Sequence, residues 1–184
     1  MASDFARLVS LACHDLRTPL ATVQGFAKTL LRMDVEAAQR ERYLGMIDAA
    51  SGELAELTDR LALVARIEGG RYEPVLREVD SLELAHAADP DAAGDGSTVR
   101  VDAEAVDRAL RDLLRAVSRH GDVEPHLHVE GARVALRPVP GDAAPIALGE
   151  EAKDLGAVVA VRLLRALGGE VSVDGETMWL TLPE

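Results

Sequence analysis

Residues 10–20 read SLACHDLRTPL and lie inside the apolar repeat that decides the fold of the N-terminal part of the chain. Apolar residues recur there at steps of three and four, which is typical of one face of an amphipathic helix. They are Phe5, Leu8, Leu11, Ala12, Leu16, Leu20, Val23, Phe26 and Leu30. His14 is not part of this stripe, so the spacing predicts a helix that carries His14 away from its packing side.

A second helix is predicted after a polar break at residues 33–36. Its apolar seam has heptad-like spacing, and it consists of Leu44, Ile47, Ser51, Leu54, Thr58, Leu61 and Ala65. Two helices of about 30 residues joined by a short turn form an antiparallel helical hairpin. Since one hairpin cannot cover both stripes, we expect two chains to pair into a dimeric four-helix bundle.

The remaining residues have a different pattern. Gly69 and Gly70 are a helix-stop signal, so we place a first domain at residues 1–68 and a second at 72–184. Helices are predicted at 103–119 and 155–167, hairpins at 126–137 and 170–182, and a loop at 87–97. Helices that alternate with antiparallel hairpins indicate an α+β fold, a small sandwich with helices on one face of a sheet.

Composition restricts the function. The net charge is −12, of which only −2 belongs to residues 1–68, and an acidic chain repels nucleic acid. The single cysteine, Cys13, cannot form an intramolecular disulfide, and we expect it to pack into the bundle. With no apolar run of about 20 residues and no signal-peptide pattern, the chain is expected to be cytoplasmic, with no membrane contact. Trp179 is expected in the core.

The surroundings of His14 suit nucleophilic chemistry. Thr18 lies one turn further along the same helix face. Asp15 can hold one ring nitrogen of His14 as N–H and leave the other free to attack. Pro19 has no N–H, so the helix is expected to bend beside this site. The alternative interpretation is an ordinary surface histidine near a proline.

Residues 14–20, HDLRTPL, resemble the phosphoacceptor box of bacterial two-component histidine kinases. The similarity continues through residues 61–72, which resemble the end of the family's second helix, and through residues 102–120 and 155–171, which resemble parts of its ATP-binding domain. By this resemblance His14 is the phosphoacceptor, Asp15 its general base and tautomer-setting neighbour, and Thr18 the residue that orients water for dephosphorylation of the partner.

The resemblance fails at the positions that would hold ATP and Mg²⁺. Asp112 and Ala116 stand where the family has two asparagines, and alanine offers no metal ligand. Asp142 is the only candidate for the adenine-binding aspartate, without its flanking glycines. Asp154 and Gly156 stand in the last glycine box, where a carboxylate would oppose a polyanion. We therefore expect the chain to bind no cofactor itself.

The combination is similar to histidine phosphotransferases with a degenerate ATP domain. Such a protein relays a phosphoryl group to or from the receiver domain of a response regulator, which supplies the Mg²⁺ and the acceptor aspartate. Two alternatives stay open, namely an ATP-dependent histidine kinase with a divergent pocket and a scaffold without phosphoryl transfer. No metal site is expected at His120, His126 and His128, because no carboxylate or cysteine stands at a supporting spacing. The pattern does not identify the partner, the signal or the direction of transfer.

Overall fold

The computed structural model describes residues 4–183, with side chains from residue 6 onward. The prediction for Phe5 lies outside the described side chains, and the start of the predicted first domain, residues 1–3, lies outside the described residues. The chain divides into two compact units, and the boundary between them lies between Ala62 and Leu63. This point lies upstream of residue 68, and the limits 1–68 and 72–184 stay a prediction.

The first unit contains two long helices. Helix α1 spans Asp4–Arg32 and continues through Pro19, and helix α2 spans Ala37–Glu68, of which the part up to residue 62 belongs to this unit. Beside the connecting turn, the ring centroids of Phe26 and Tyr43 lie 4.9 Å apart. The predicted helical hairpin is confirmed.

Burial along α1 follows the predicted stripe in its first half. Leu8, Leu11 and Ala12 are buried, whereas Leu20 is 45% exposed in the single chain. Cys13 is exposed in the single chain, and its expected place inside the dimeric bundle stays a prediction. Because successive residues are about 100° apart around a helix, Cys13 does not lie on the same face as the buried Ala12.

After the end of α2, the second unit contains eleven helices and strands in chain order. They are β1 Arg77–Asp80, α3 Ser81–Ala88, β2 Ala93–Gly96, β3 Thr98–Val101, α4 Ala103–Gly121, β4 His126–Gly131, β5 Arg133–Arg137, α5 Ala144–Ala147, α6 Leu155–Ala166, β6 Glu170–Asp174 and β7 Thr177–Thr181. Five strands form one sheet in the order β2-β4-β5-β7-β6, parallel between β2 and β4 and antiparallel elsewhere. Strands β1 and β3 form a separate antiparallel pair.

The core of this unit lies between the sheet and its helices. Alternate strand residues are fully or almost fully buried, which is the pattern of a half-covered sheet. They are Leu127, Val129, Val134, Leu136, Met178 and Leu180. Helix α4 adds Val106, Leu110, Leu113 and Val117, and Asp102 caps it by accepting a hydrogen bond from the N–H of Ala105 at 3.2 Å. The predicted α+β fold is confirmed.

Two local predictions are wrong. Residues 87–97 are not all loop, because β2 pairs with β4 there through main-chain atoms that leave no apolar pattern in the sequence Ala-Gly-Asp-Gly. Trp179 is only half-buried, because its neighbours Met178 and Leu180 occupy the core side of β7. The guanidinium carbon of Arg133 lies 4.1 Å from the centroid of the Trp179 ring.

Among residues 4–183, no helix has both the length and the apolar character needed to cross a membrane.

Candidate functional site

The imidazole of His14 lies on the open side of α1. Its side chain is 78% exposed, and its Nδ1 atom lies 3.1 Å from Oδ1 of Asp15. An ionised carboxylate only accepts hydrogen bonds, so this contact favours a proton on Nδ1 and leaves the lone pair on Nε2. An exposed ring nitrogen with a free lone pair is the minimum that a phosphoryl acceptor requires.

The helix places the neighbouring residues of the motif in two groups. Arg17 and Thr18 are exposed, as His14 is, whereas Pro19 is buried. The carbonyl of Thr18 accepts a hydrogen bond from the hydroxyl of Thr22 at 3.2 Å. His14, Asp15 and Thr18 are therefore presented together by one continuous helix, as the sequence predicted, and the bend at Pro19 stays a prediction.

The second unit brings together most of the positions where the family would hold ATP. Asp112 and Ala116 are buried one turn apart on α4, and Asp154 precedes α6. A Cβ atom added to Gly156 would lie 3.3 Å from both Cβ and Cγ of Asp112. Asp142 is exposed in the turn before α5.

Asp154 makes contacts that the sequence did not reveal. Its Oδ1 accepts a hydrogen bond from the N–H of Ala157 at 3.0 Å and caps α6. Its Oδ2 accepts one from Nη1 of Arg119 at 3.3 Å, and Nε2 of His120 lies at the same distance. Only 8% of the Asp154 side chain is exposed. Arg119 and His120 are 35 and 34 residues away in sequence, so no local motif could have indicated this cluster.

A second cluster joins a loop to the edge of the sheet. One ligand-type atom from each of Asp89, Asp91 and His126 lies within 4.8 Å of the others. The buried carboxylate of Asp89 already accepts hydrogen bonds from the N–H groups of Leu127, at 2.8 Å, and Asp91, at 3.1 Å. These bonds explain the cluster as a connection between the loop and β4. Asp89, whose Oδ2 lies 3.4 Å from Nδ1 of His126, is too far from it in sequence to be predicted as its partner.

Comparisons with known proteins agree with the geometry of the hairpin. Residues 6–70 match the His Kinase A (phospho-acceptor) domain, a segment that contains His14, Asp15 and Thr18. This segment, about a third of the chain, is therefore similar to the phospho-acceptor domain of histidine kinases. The probable sensor histidine kinase TcrY of Mycobacterium tuberculosis is 29% identical over 93 residues, which cover 46% of this chain and 19% of that protein.

A further relative and a solved structure extend the similarity over more of the chain. The methanogenesis regulatory histidine kinase FilI of Methanothrix harundinacea is 29% identical over 144 residues, 70% of this chain and 16% of that protein. The chain thus spans less than a fifth of either relative. The structure of the Acinetobacter baumannii histidine kinase AdeS has a TM-score of 0.62 at 18% identity and covers 92% of this chain and 95% of its own. This likeness concerns the fold alone.

The resemblance to histidine kinases implies a magnesium nucleotide, and the residues at the corresponding positions do not fit one. The methyl group of Ala116 cannot hold a metal ion. The carboxylate of Asp154 lies at the start of α6, where a phosphate would need free amide groups. Gly156 packs so closely against α4 that an added Cβ atom would lie 3.3 Å from the side chain of Asp112. No chemical step is therefore assigned to a nucleotide on this chain.

Proposed function

We propose that this chain is a histidine phosphotransfer protein that exchanges a phosphoryl group with response-regulator receiver domains and does not use ATP. The observation that carries the proposal is His14, 78% exposed and with Asp15 only 3.1 Å from its Nδ1. The chain requires nothing else of its own for this reaction, because a receiver domain brings the phosphoryl group or its acceptor, together with Mg²⁺.

In the proposed reaction, Nε2 of His14 attacks the phosphorus of an aspartyl phosphate on the receiver. The new N–P bond forms while the P–O bond to the aspartate breaks, and the aspartate leaves as a carboxylate. The histidine ring gains positive charge as the bond forms, and the Asp15 carboxylate beside Nδ1 stabilises that charge. The reverse reaction passes the phosphoryl group from His14 to a receiver aspartate by the same path.

Thr18 has a separate role in this proposal. It is exposed one turn after His14, where its hydroxyl can orient a water molecule toward an aspartyl phosphate docked against α1. That arrangement would dephosphorylate the partner without passing the phosphoryl group to His14. Asp15 and Thr18 thus support a protein that transfers phosphoryl groups over a pure scaffold, which needs neither side chain.

The receiver domain is proposed to dock on the hairpin beside His14. Residues 1–68 carry a net charge of only −2, whereas the rest of the chain carries −10. The pocket of a receiver domain is acidic before it binds Mg²⁺, so the strongly acidic second unit would repel it. Exchange with receiver domains also implies that the protein works in the cytoplasm.

A homodimer through the hairpin is part of the same proposal. Several large apolar side chains of the first unit remain exposed in the single chain. They are Val9, Leu20, Leu31, Leu44 and Met46, with exposed fractions from 38% to 85%. Pairing of two hairpins into a four-helix bundle would cover such residues and place Leu54 and Leu61 between the chains.

One observation favours the alternative of an ATP-dependent histidine kinase, namely that both relatives above are described as histidine kinases. Two reactions distinguish the candidates. The purified protein is incubated with a phosphorylated receiver domain and, separately, with radiolabelled ATP and Mg²⁺. We expect label on His14 only from the receiver. Label from ATP would establish the kinase, and no label from a panel of receivers or from ATP would favour a scaffold.

A further inference from the structure

We infer that the Asp154 carboxylate is a built-in anion that occupies the phosphate position at the start of α6, so that removing it opens a site for an inorganic polyphosphate. The inference rests on the ATP-independent part of the proposed function and gives it a physical cause. It concerns the second unit only, and it does not depend on what His14 does.

The groups that contact Asp154 are hydrogen-bond donors of the kind that also bind phosphate oxygens. One carboxylate oxygen accepts from the main-chain N–H of Ala157, and the other lies 3.3 Å from both Nη1 of Arg119 and Nε2 of His120. A helix N-terminus, a guanidinium and an imidazole together form a donor set for an anion. In this chain a side-chain carboxylate already satisfies that set, and it is almost fully buried.

The packing of α6 on α4 keeps the same region narrow. A Cβ atom on Gly156 would lie 3.1 Å from Oδ1 of Asp154 and 3.3 Å from the side chain of Asp112. Glycine at position 156 therefore allows α4 and α6 to approach each other closely. The buried Asp154 carboxylate lies at the first turn of α6, so a free anion there would meet its negative charge.

The competing explanation is that Asp154 is only a helix cap. Asp80 offers a matched example, because its carboxylate caps α3 by accepting hydrogen bonds from Leu82 and Glu83. Asp154 differs in that its second oxygen faces two side chains that can be cationic. It is also buried, whereas Asp80 is only half-buried. If Asp154 were only a cap, its replacement by another good cap would create no anion site.

The decisive variant is Asp154→Ser, because serine keeps the cap and removes both the charge and part of the volume. Binding of inorganic pyrophosphate is measured by calorimetry on the full chain at neutral pH. We expect Asp154→Ser to bind pyrophosphate at least tenfold more tightly than the unaltered protein. The matched control Asp80→Ser makes the same change at another cap and should show no gain. Adding Arg119→Gln and His120→Gln to Asp154→Ser should abolish the gain.

Circular dichroism and the melting temperature establish that each variant is folded. If Asp154→Ser does not fold, Asp154→Gly is used, since glycine is also tolerated at helix caps. A folded variant that binds pyrophosphate no better than Asp80→Ser would overturn the inference, as would failure of both variants to fold, because Asp154 would then be a structural cap.

Labelling of the unaltered protein by a phosphorylated receiver is measured in parallel. Failure of that labelling would overturn the proposed phosphotransfer and leave the pyrophosphate result standing. Failure of pyrophosphate binding would overturn only the role of Asp154. Binding of magnesium ATP by the unaltered protein would contradict both the ATP-independent function and the closed site.

Discussion

The two units of this chain contrast in what they keep at the surface and in the core. The hairpin presents His14, Asp15 and Thr18 on one helix, with His14 open to solvent. The second unit has a well-packed core between sheet and helices, and it buries Ala116 and Asp154, which the resemblance to histidine kinases places at metal and phosphate positions. A phosphoacceptor needs one exposed ring nitrogen, whereas a nucleotide site needs many groups at once. The proposed function therefore requires the second unit to keep this packed core without a nucleotide.

The largest expected effect is on the hairpin. Replacing His14 by glutamine should reduce labelling from a phosphorylated receiver to background, because glutamine has no nucleophilic nitrogen. The side chain is exposed, so the melting temperature should stay within about 1 °C of the unaltered protein, as for surface substitutions in general. Labelling is followed by autoradiography and folding by circular dichroism.

A matched control for this variant is His86→Gln, which changes an exposed histidine of the second unit. It should leave labelling unchanged. If His14→Gln still accepts label while His86→Gln loses it, the reactive residue lies in the second unit and the contrast between the two units is reversed.

The next effect concerns the dimer. Leu54→Glu should place a charge inside the four-helix bundle, which costs about 3 kcal/mol or more when the charge has no partner. The dimer dissociation constant should rise by roughly a hundredfold or more. Light scattering over a concentration series checks this. Ala49→Glu adds the same charge at an exposed position on the opposite side of α2 and should leave the dimer intact.

A monomer for the unaltered protein at micromolar concentration would contradict the bundle directly. The exposed apolar residues Leu31 and Leu44 would then need another covering.

A smaller loss is expected from Asp15→Asn. The amide keeps the shape of the carboxylate near Nδ1 of His14 but loses its charge, so it no longer stabilises the cationic ring. Positioned acid–base groups contribute roughly 10²-fold to such steps, and the labelling rate should fall by about that factor. Rapid-quench measurements give the rate. A variant as fast as the unaltered protein would leave Asp15 without a role in transfer.

Much of the fold was predictable because it rests on local patterns. The apolar repeat from Leu8 to Leu30 predicted α1, and the Gly-containing turns predicted the hairpins of β4 with β5 and β6 with β7. Gly131 and Gly175 adopt φ values of +62° and +58° there, which glycine allows without strain. The HDLRTPL motif predicted that one helix presents the reactive side chains, because residues 14, 15 and 18 are close in sequence.

Other features depend on pairings that no local pattern records. Strand β2 was missed because an edge strand of Ala-Gly-Asp-Gly is held by its main chain. The contacts of Asp154 with Arg119 and His120 join residues more than 30 positions apart. The burial of Met178 and Leu180 fixed the face on which Trp179 lies, and this could be known only once the sheet was assembled. Departures from the family motif were visible in the sequence, but their packing was not.

The smallest effect concerns the segment after α2, where Tyr72 contacts the cap of α4. The hydroxyl of Tyr72 donates to Oδ2 of Asp102 at 3.4 Å, and the N–H of Val75 donates to the same oxygen at 3.1 Å. The pKa of Tyr72 is raised from 10.0 to about 12, mainly by burial and next by the negative charge of Asp102. The positive charges of Arg66 and Arg108 lower this pKa by a smaller amount. Because folding favours the neutral phenol, its contribution to stability is complete below pH 10 and is lost between pH 10 and 12.

Asp102→Asn should lower the pKa of Tyr72 and keep it above 10, because asparagine keeps the cap of α4 and burial is the larger cause. Ultraviolet absorbance of tyrosinate reports the titration, in a Tyr43→Phe background that leaves Tyr72 as the single tyrosine. Glu104→Gln removes the same charge from an exposed position in the first turn of α4 and should shift the titration less. An Asp102→Asn titration identical to that of the unaltered protein would mean that burial alone holds the proton on Tyr72.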